Sequence, residues 1–227
     1  IDGVDAAARS PLWMTERLKR AGLRPISPLV DITNYVMLEL GQPLHAFDAD
    51  TLTGPLIVRH ARAGETLKLL DEREVSLDPG FLLVTDADRA VALGGVMGGW
   101  ATRVTGSTTR VFFEAAHWVP SAIIGRARKL GMHTDAGHRF ERGVDPQLPR
   151  YAVERATALA LQILGGQAGP ITETTLPEFL ATPAAVTLRR DRLARVLGIA
   201  VPDADVERIL RALGMQVTAT ADGWKVV

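Results

Sequence analysis

Across residues 54–118 the apolar side chains recur every second position, whereas on either side of that block they recur at helical spacing. This change of period is the strongest constraint on the fold, because side chains alternate across a strand but repeat every three to four residues along a helix. Short apolar runs at 56–61, 66–70, 75–77, 81–85 and 90–93, separated by Gly, Pro, Asp and Thr turn chemistry, predict strands in hairpin-like succession. Residues 111–118, VFFEAAHW, predict one more strand, in which Glu114 interrupts an apolar series. Its carboxylate either points to solvent on the alternate face or points inward and needs a hydrogen-bond partner.

The flanks read as helices and loops. Ser10 and Pro11 look like a cap and first-turn pair for a helix carried by Leu12, Trp13 and Leu18 as far as Gly22. Leu29, Ile32, Tyr35, Val36 and Leu40 predict a second helix, stopped by Gly41. Residues 42–47 then predict a loop in which His45, between apolar neighbours, is either a satisfied, partly buried side chain or a functional one. The run 94–99, GGVMGG, has no Gly-x-Gly-x-x-Gly spacing, no lysine and no clear helix after it, so it is not a phosphate loop. Paired glycines there permit a bulge, a tight turn or close approach to a ligand.

The densest polar chemistry lies in residues 131–146, GMHTDAGHRFERGVDP. A helix-like run with Ile123, Ile124, Ala127 and Leu130 leads into Gly131, a residue that favours the left-handed helix stop. A loop is expected from Met132 through His133, Thr134, Asp135, Ala136 and Gly137, followed by alternating charge at His138, Arg139, Glu141 and Arg142. Asp145 and Pro146 read as cap and first position of a long amphipathic helix with Leu148, Tyr151, Ala152, Ala156, Leu159, Ile163 and Leu164, ended by Gly165 and Gly166. The loop is either pocket lining or a plain connection with solvated ion pairs. Thr- and Pro-rich residues 169–183 read as a linker. A new unit starts at Val186, with a strand, a helix around 193–197, a helix over 203–213 stopped by Gly214, and a hairpin turning at Asp222 and Gly223. That unit is too small to bury a secure core unaided.

Composition narrows the function classes. With 227 residues, 47% of them hydrophobic, the chain can hold one large domain plus a smaller one. Formal net charge is zero, 26 basic against 26 acidic residues, so any nucleic-acid contact must be local. Four lysines stand against 22 arginines; arginine is the better fork for phosphate, but codon bias accounts for the ratio more simply. The absence of cysteine excludes disulfides, thiolate metal sites and a thiol nucleophile. No apolar run approaches the roughly 20 residues needed to span a bilayer, and no signal-peptide pattern opens the chain, which predicts a cytoplasmic setting without membrane partners. Starting at Ile1 and stopping on an apolar strand-like end, the chain reads as cut from something longer. There is no Gly-x-Ser-x-Gly elbow, and His133 and His138 are spaced wrongly for a two-histidine metal motif. From the residues alone, the reading is a cytoplasmic mixed α and β domain with a loop-built pocket.

Three segments add to that reading: NYVMLELGQPLHAFD at 34–48, GGVMGG at 94–99 and GMHTDAGHRFERGVDP at 131–146. In this order they closely resemble the β subunit of bacterial phenylalanyl-tRNA synthetase, within its central editing domain. The resemblance implies an α+β chain: a layered α/β/α-type editing domain with a β-rich centre over residues 1–176, then the beginning of a truncated small α+β domain at 186–227. It implies hydrolysis of tyrosine wrongly esterified to phenylalanine tRNA, with free tyrosine as product and a synthetase α subunit as partner in the full heterotetramer. It puts Arg24, His45, Gly98, Glu114, Thr134 and Ala136 in the editing pocket. On this pattern Glu114 reads the phenol, while His45 and Thr134 lie near the ester and position water or the terminal ribose. Gly98 and Ala136 shape the wall and Arg24 helps hold substrate. ATP and magnesium belong to the full synthetase, and no cofactor or metal is expected here. Gly137 stands where the family usually has serine, and residues 100–104, WATRV, stand where small polar and acidic residues are common. Both departures read as rim positions. The competing reading is a non-catalytic module that contributes interface and tRNA contact inside the heterotetramer.

Overall fold

A computed structural model describes residues 1–180 and 183–227, which divide into two compact units, Ile1–Thr174 and Thr175–Val227. The first begins with two helices, α1 (Leu12–Arg20) and α2 (Pro28–Leu40). α2 ends where Gly41 takes the left-handed conformation, φ 79°, and returns its N–H to the Met37 carbonyl. α1 is anchored by Met14 and Leu18, while Leu12 and Trp13 stay exposed. Ser10 does not cap this helix. Its hydroxyl donates instead to buried Asp31, which also accepts the Ile26 N–H and so ties the start of α2 to the chain on either side of α1.

Most of the loop expected at residues 42–47 belongs to strand β1 (Leu44–Asp48). The strand exists because it has a partner: β8 (Val111–Ala115) runs antiparallel beside it. Buried Gln42 donates from Nε2 to the Pro43 carbonyl and to the Ala116 carbonyl at 3.0 Å, pinning the start of one strand to the end of the other. Between them lies the expected succession of short strands: β2 (Ile57–His60), β3 (Thr66–Lys68), β4 (Glu74–Ser76), β5 (Leu82–Thr85), β6 (Ala90–Leu93) and β7 (Met97–Gly98). β2-β5-β6-β7 make one antiparallel sheet and β3-β4 a separate hairpin.

The predicted helix before Gly131 is two short pieces, α3 (Pro120–Ile123) and α4 (Arg126–Lys129), broken where Gly125 adopts φ 76°. The expected loop after it contains α5 (Asp135–Phe140), six residues with too few turns to leave a period in the sequence. α6 (Leu148–Leu164) starts two residues later than expected and carries Pro149 in its first turn, while Asp145 accepts the Gln147 N–H just outside it. Ala152, Ala156, Leu159, Ala160 and Leu164 form its buried stripe, and Tyr151 is exposed.

Two apolar cores result, and the β1-β8 ladder separates them. Ala46 and Val111 face α1, α2 and α6, whereas Phe47 on the alternate face belongs to the core of the four-stranded sheet together with Trp118, Ile123, Ala127 and Phe140. This is an α+β architecture around a sheet core. The second unit has strand β9 (Val186–Arg189), helices α7 (Arg190–Leu197) and α8 (Asp203–Ala212), and strands β10 (Val217–Thr220) and β11 (Gly223–Val226), with β11 in the middle of its sheet. Its core is small, built on Val206, Trp224 and Val226. Of the linker expected at 169–183, residues 181–182 lie outside the described residues. The rest is irregular apart from a turn of 3-10 helix at Pro177–Phe179. No described helix is long and apolar enough to cross a membrane.

Candidate active site

Alternation along β1 and β8 decides which way the polar residues point. His45 and Phe47 share one face of β1, their rings in edge contact at 4.3 Å between centroids. Glu114 stands directly opposite His45 in the ladder, and Phe112 opposite Phe47. The open alternative for Glu114 therefore resolves inward: its side chain belongs to the Phe47 face, where a cavity of about 500 Å³ opens between this ladder, α2, the β6-β7 turn and α5. His45, Gly98, Glu114, Thr134 and Ala136 line that cavity together. Arg24 lies on the exposed segment between α1 and α2, and the structure does not bring it to the wall.

Burial governs the two titratable groups. Removal from water pushes the Glu114 carboxyl up to about 7 and the His45 imidazole down to about 4, each favouring its neutral form. His45 Nε2 is buried and has no hydrogen-bond partner among the described residues. At neutral pH the imidazole is thus uncharged and presents a basic nitrogen as an acceptor.

The ring is held from its other side by glycine. A Cβ on Gly98 would fall 2.2 Å from His45 Cε1 and 2.6 Å from Nε2, so the imidazole packs directly against bare backbone. Gly98 itself is fixed by pairing with Ala92 and by the Leu70 N–H, which donates to its carbonyl at 3.1 Å. The glycine run is therefore a tight turn that also permits close approach of a side chain.

Thr134 is the N-cap of α5. Its backbone is extended and its Oγ1 accepts the Gly137 N–H at 3.0 Å, which leaves the hydroxyl hydrogen free to donate. A Cβ at position 137 would sit 3.0 Å from that Oγ1, so glycine there leaves the cap hydroxyl uncrowded. One turn on from Ala136, Phe140 lines the cavity too. Glu141 accepts the Gly125 N–H at 2.9 Å and anchors the end of α5 to the break before α4. Of the charged knot, His138, Arg139, Glu141 and Arg142 do not line the cavity.

Arg103 does line it, together with Val104. Sequence reasoning treated this stretch as rim and missed the arginine. The available signal was its departure from the resembled pattern. Among the described residues no group of three or more His, Cys, Asp or Glu is placed to hold a metal ion.

Comparison with known proteins sets this geometry in a lineage. Residues 1–165 match the B3/4 domain and residues 186–227 the tRNA synthetase B5 domain. The chain is 62% identical over 227 residues to a phenylalanine-tRNA ligase beta subunit of Xylella fastidiosa strain Temecula1, all of this chain against 29% of that protein. It is 64% identical over 226 residues to the corresponding subunit of Xanthomonas campestris pv. campestris strain 8004, again 29% of its length. A solved N-terminal fragment of the phenylalanyl-tRNA synthetase beta subunit from Pyrococcus horikoshii aligns over 87% of this chain and 58% of its own, with 15% identity and a TM-score of 0.45. The chain spans under a third of the curated relatives it matches. It belongs to the B3/4 domain family, continued by a B5 domain, in the form that bacterial phenylalanine-tRNA ligase beta subunits match along its whole length.

Proposed function

We propose that the cavity hydrolyses the ester of tyrosine mischarged onto phenylalanine tRNA, as the editing part of a synthetase β chain in the cytoplasm with an α subunit as partner. The observation that carries this is the His45–Glu114 pair, opposed across one ladder, half-buried on the wall of one cavity and without an ion-pair partner among the described residues. The chemical need is general. A synthetic pocket shaped for phenylalanine rejects tyrosine weakly, because a hydrophobic site discriminates poorly against an added hydroxyl. A second site that hydrogen-bonds the phenol has the opposite preference, since phenylalanine leaves its polar group unmet.

In this reading Glu114 meets the phenol, as carboxylate acceptor above about pH 7 and as neutral acid below it. His45 accepts a hydrogen bond from the attacking water, and the Thr134 hydroxyl donates to the ester carbonyl or the terminal ribose. Ala136 and Gly98 keep the wall close, and Arg24 acts on RNA outside the cavity. Water adds to the ester carbonyl, the bond to the ribose oxygen breaks, and tyrosine leaves with the RNA hydroxyl restored. With His45 so weak a base, the rate comes from positioning the water rather than from full proton abstraction, and no covalent intermediate forms.

The test is deacylation of tyrosyl against phenylalanyl tRNA(Phe) by this chain. Faster release of tyrosine, lost on His45→Ala, supports the proposal. Equal rates at the level of buffer hydrolysis would leave the non-catalytic, tRNA-contacting module as the correct reading.

A further inference from the structure

Arg103 is the one lysine or arginine on the cavity wall among the described residues. Three contacts hold it. Its backbone bridges Phe47 on β1, its Nη1 donates to the Trp100 carbonyl at 2.7 Å, and its guanidinium stacks 3.5 Å from the centre of the Trp100 ring. No carboxylate lies within ion-pair distance of it among the described residues, although the fold pairs many other arginines. A guanidinium stacked on an aromatic face keeps its in-plane N–H fork free. Only one of its five donors is used internally.

A second cation shares the same indole. Lys68 Nζ lies 4.9 Å from the Trp100 ring centre. The two are brought together because Leu69, next to Lys68, bridges Gly99, next to Trp100. Glu74, which faces Lys68 across the β3-β4 ladder, accepts from Thr66 instead and makes no ion pair with Lys68. One unneutralised positive charge on the cavity wall, with a second against the same indole though not itself a lining residue, describes a local anion site in a chain of zero net charge. Glu114 is held on β8 opposite His45, whereas Arg103 bridges Phe47 two residues further along β1. The cavity therefore has a carboxyl for a phenol and, apart from it, a preorganised fork suited to a phosphate.

We propose that Arg103, braced by Trp100 and assisted by Lys68, grips the 5′-phosphate of the terminal nucleotide that carries the aminoacyl ester. This rests on the editing reading and assigns it a second contact. An aminoacyl ester has no free carboxylate, so the anion offered to this edge while substrate is bound is the phosphodiester. Free tyrosine, which does carry a carboxylate, is the competing source of the same charge.

The test uses non-hydrolysable ligands: 3′-deoxy-3′-(L-tyrosylamido)adenosine with and without a 5′-phosphate, and free tyrosine, each titrated calorimetrically into the chain and its variants at low salt. In the wild-type chain the 5′-phosphate strengthens binding about tenfold, the range of a charge-assisted hydrogen bond. Arg103→Gln removes that gain and leaves affinity for the phosphate-free amide and for tyrosine unchanged. Arg103→Lys, which keeps the charge but not the fork, retains part of it. A gain that persists in Arg103→Gln overturns the proposal, and so does a variant that weakens tyrosine and the phosphate-free amide equally, because the guanidinium would then serve the amino acid. Failure of the wild-type chain to bind either amide also overturns it. Deacylation of mischarged tRNA judges the editing reading separately. An unchanged melting temperature in Arg103→Lys keeps a folding defect from passing for either result.

Discussion

The imidazole of His45 rests on the backbone of Gly98 so closely that a methyl group there would fall 2.2 Å from Cε1. Gly98 has no positive φ to protect, so its requirement is steric. Gly98→Ala should push the ring off its seat, cost about 1 to 3 kcal/mol as overpacking does, and lower deacylation about as far as His45→Ala. The double variant should be no worse than either single one. Urea melts and single-turnover deacylation check this, and additive losses would mean that Gly98 acts on substrate directly.

Glu114→Ala removes the acceptor for the phenol while leaving the β8 backbone intact. Above about pH 7, where the carboxyl is ionised, a charge-assisted hydrogen bond is worth about 1.5 to 3 kcal/mol, so preference for tyrosyl over phenylalanyl ester should fall about tenfold to a hundredfold. Glu114→Gln should cost less, because an amide oxygen still accepts. Calorimetry with free tyrosine reads the same contact without RNA, and unchanged affinity in Glu114→Ala would remove this residue from recognition.

The opposed shifts of the pair predict an unusual pH profile. Glu114 rises from 4.5 to about 7 on folding, so its contribution to stability is lost as pH climbs through that window. His45 falls from 6.5 to about 4, so its contribution is lost as pH drops through the corresponding window. Where the windows overlap, from 4.5 to 6.5, the two effects oppose each other and largely cancel. Glu114→Gln should expose the His45 slope, with stability rising toward pH 6.5 by up to about 3 kcal/mol. His45→Gln should expose the reverse slope, with stability falling toward pH 7. Denaturant melts at several pH values measure both, and parallel profiles for all three proteins would show that neither group is desolvated as described.

Hydrolysis of full-length mischarged tRNA by this chain alone should be much weaker than by a complete synthetase. Its net charge is zero, so the phosphate-dependent part of affinity is small. The deficit should appear in KM, with kcat largely retained. Equal kcat/KM for the chain and a reconstituted synthetase would show that the cavity and its rim hold the RNA unaided.

By itself the sequence determined the element types wherever a period could express itself. The apolar stripe and Gly41 define α2, the two-residue alternation defines β2 to β6, and the paired glycines after Leu164 end α6. Those signals are local, because a period reports only how one segment meets its own core. Segments too short to carry a period escaped: β1 is a strand because β8 lies beside it, and α5 is a helix because Thr134 caps it and Phe140 is buried. The family motifs named His45, Gly98, Glu114, Thr134 and Ala136, but only tertiary structure decided how they meet. The antiparallel register sets His45 against Glu114, and the β6-β7 turn puts Gly98 under the ring. Arg103 reaches the wall by pairing with Phe47, a contact between distant parts of the chain. Such a contact leaves no trace in local spacing, because it is set by which surfaces pack together and not by the order in which residues follow one another.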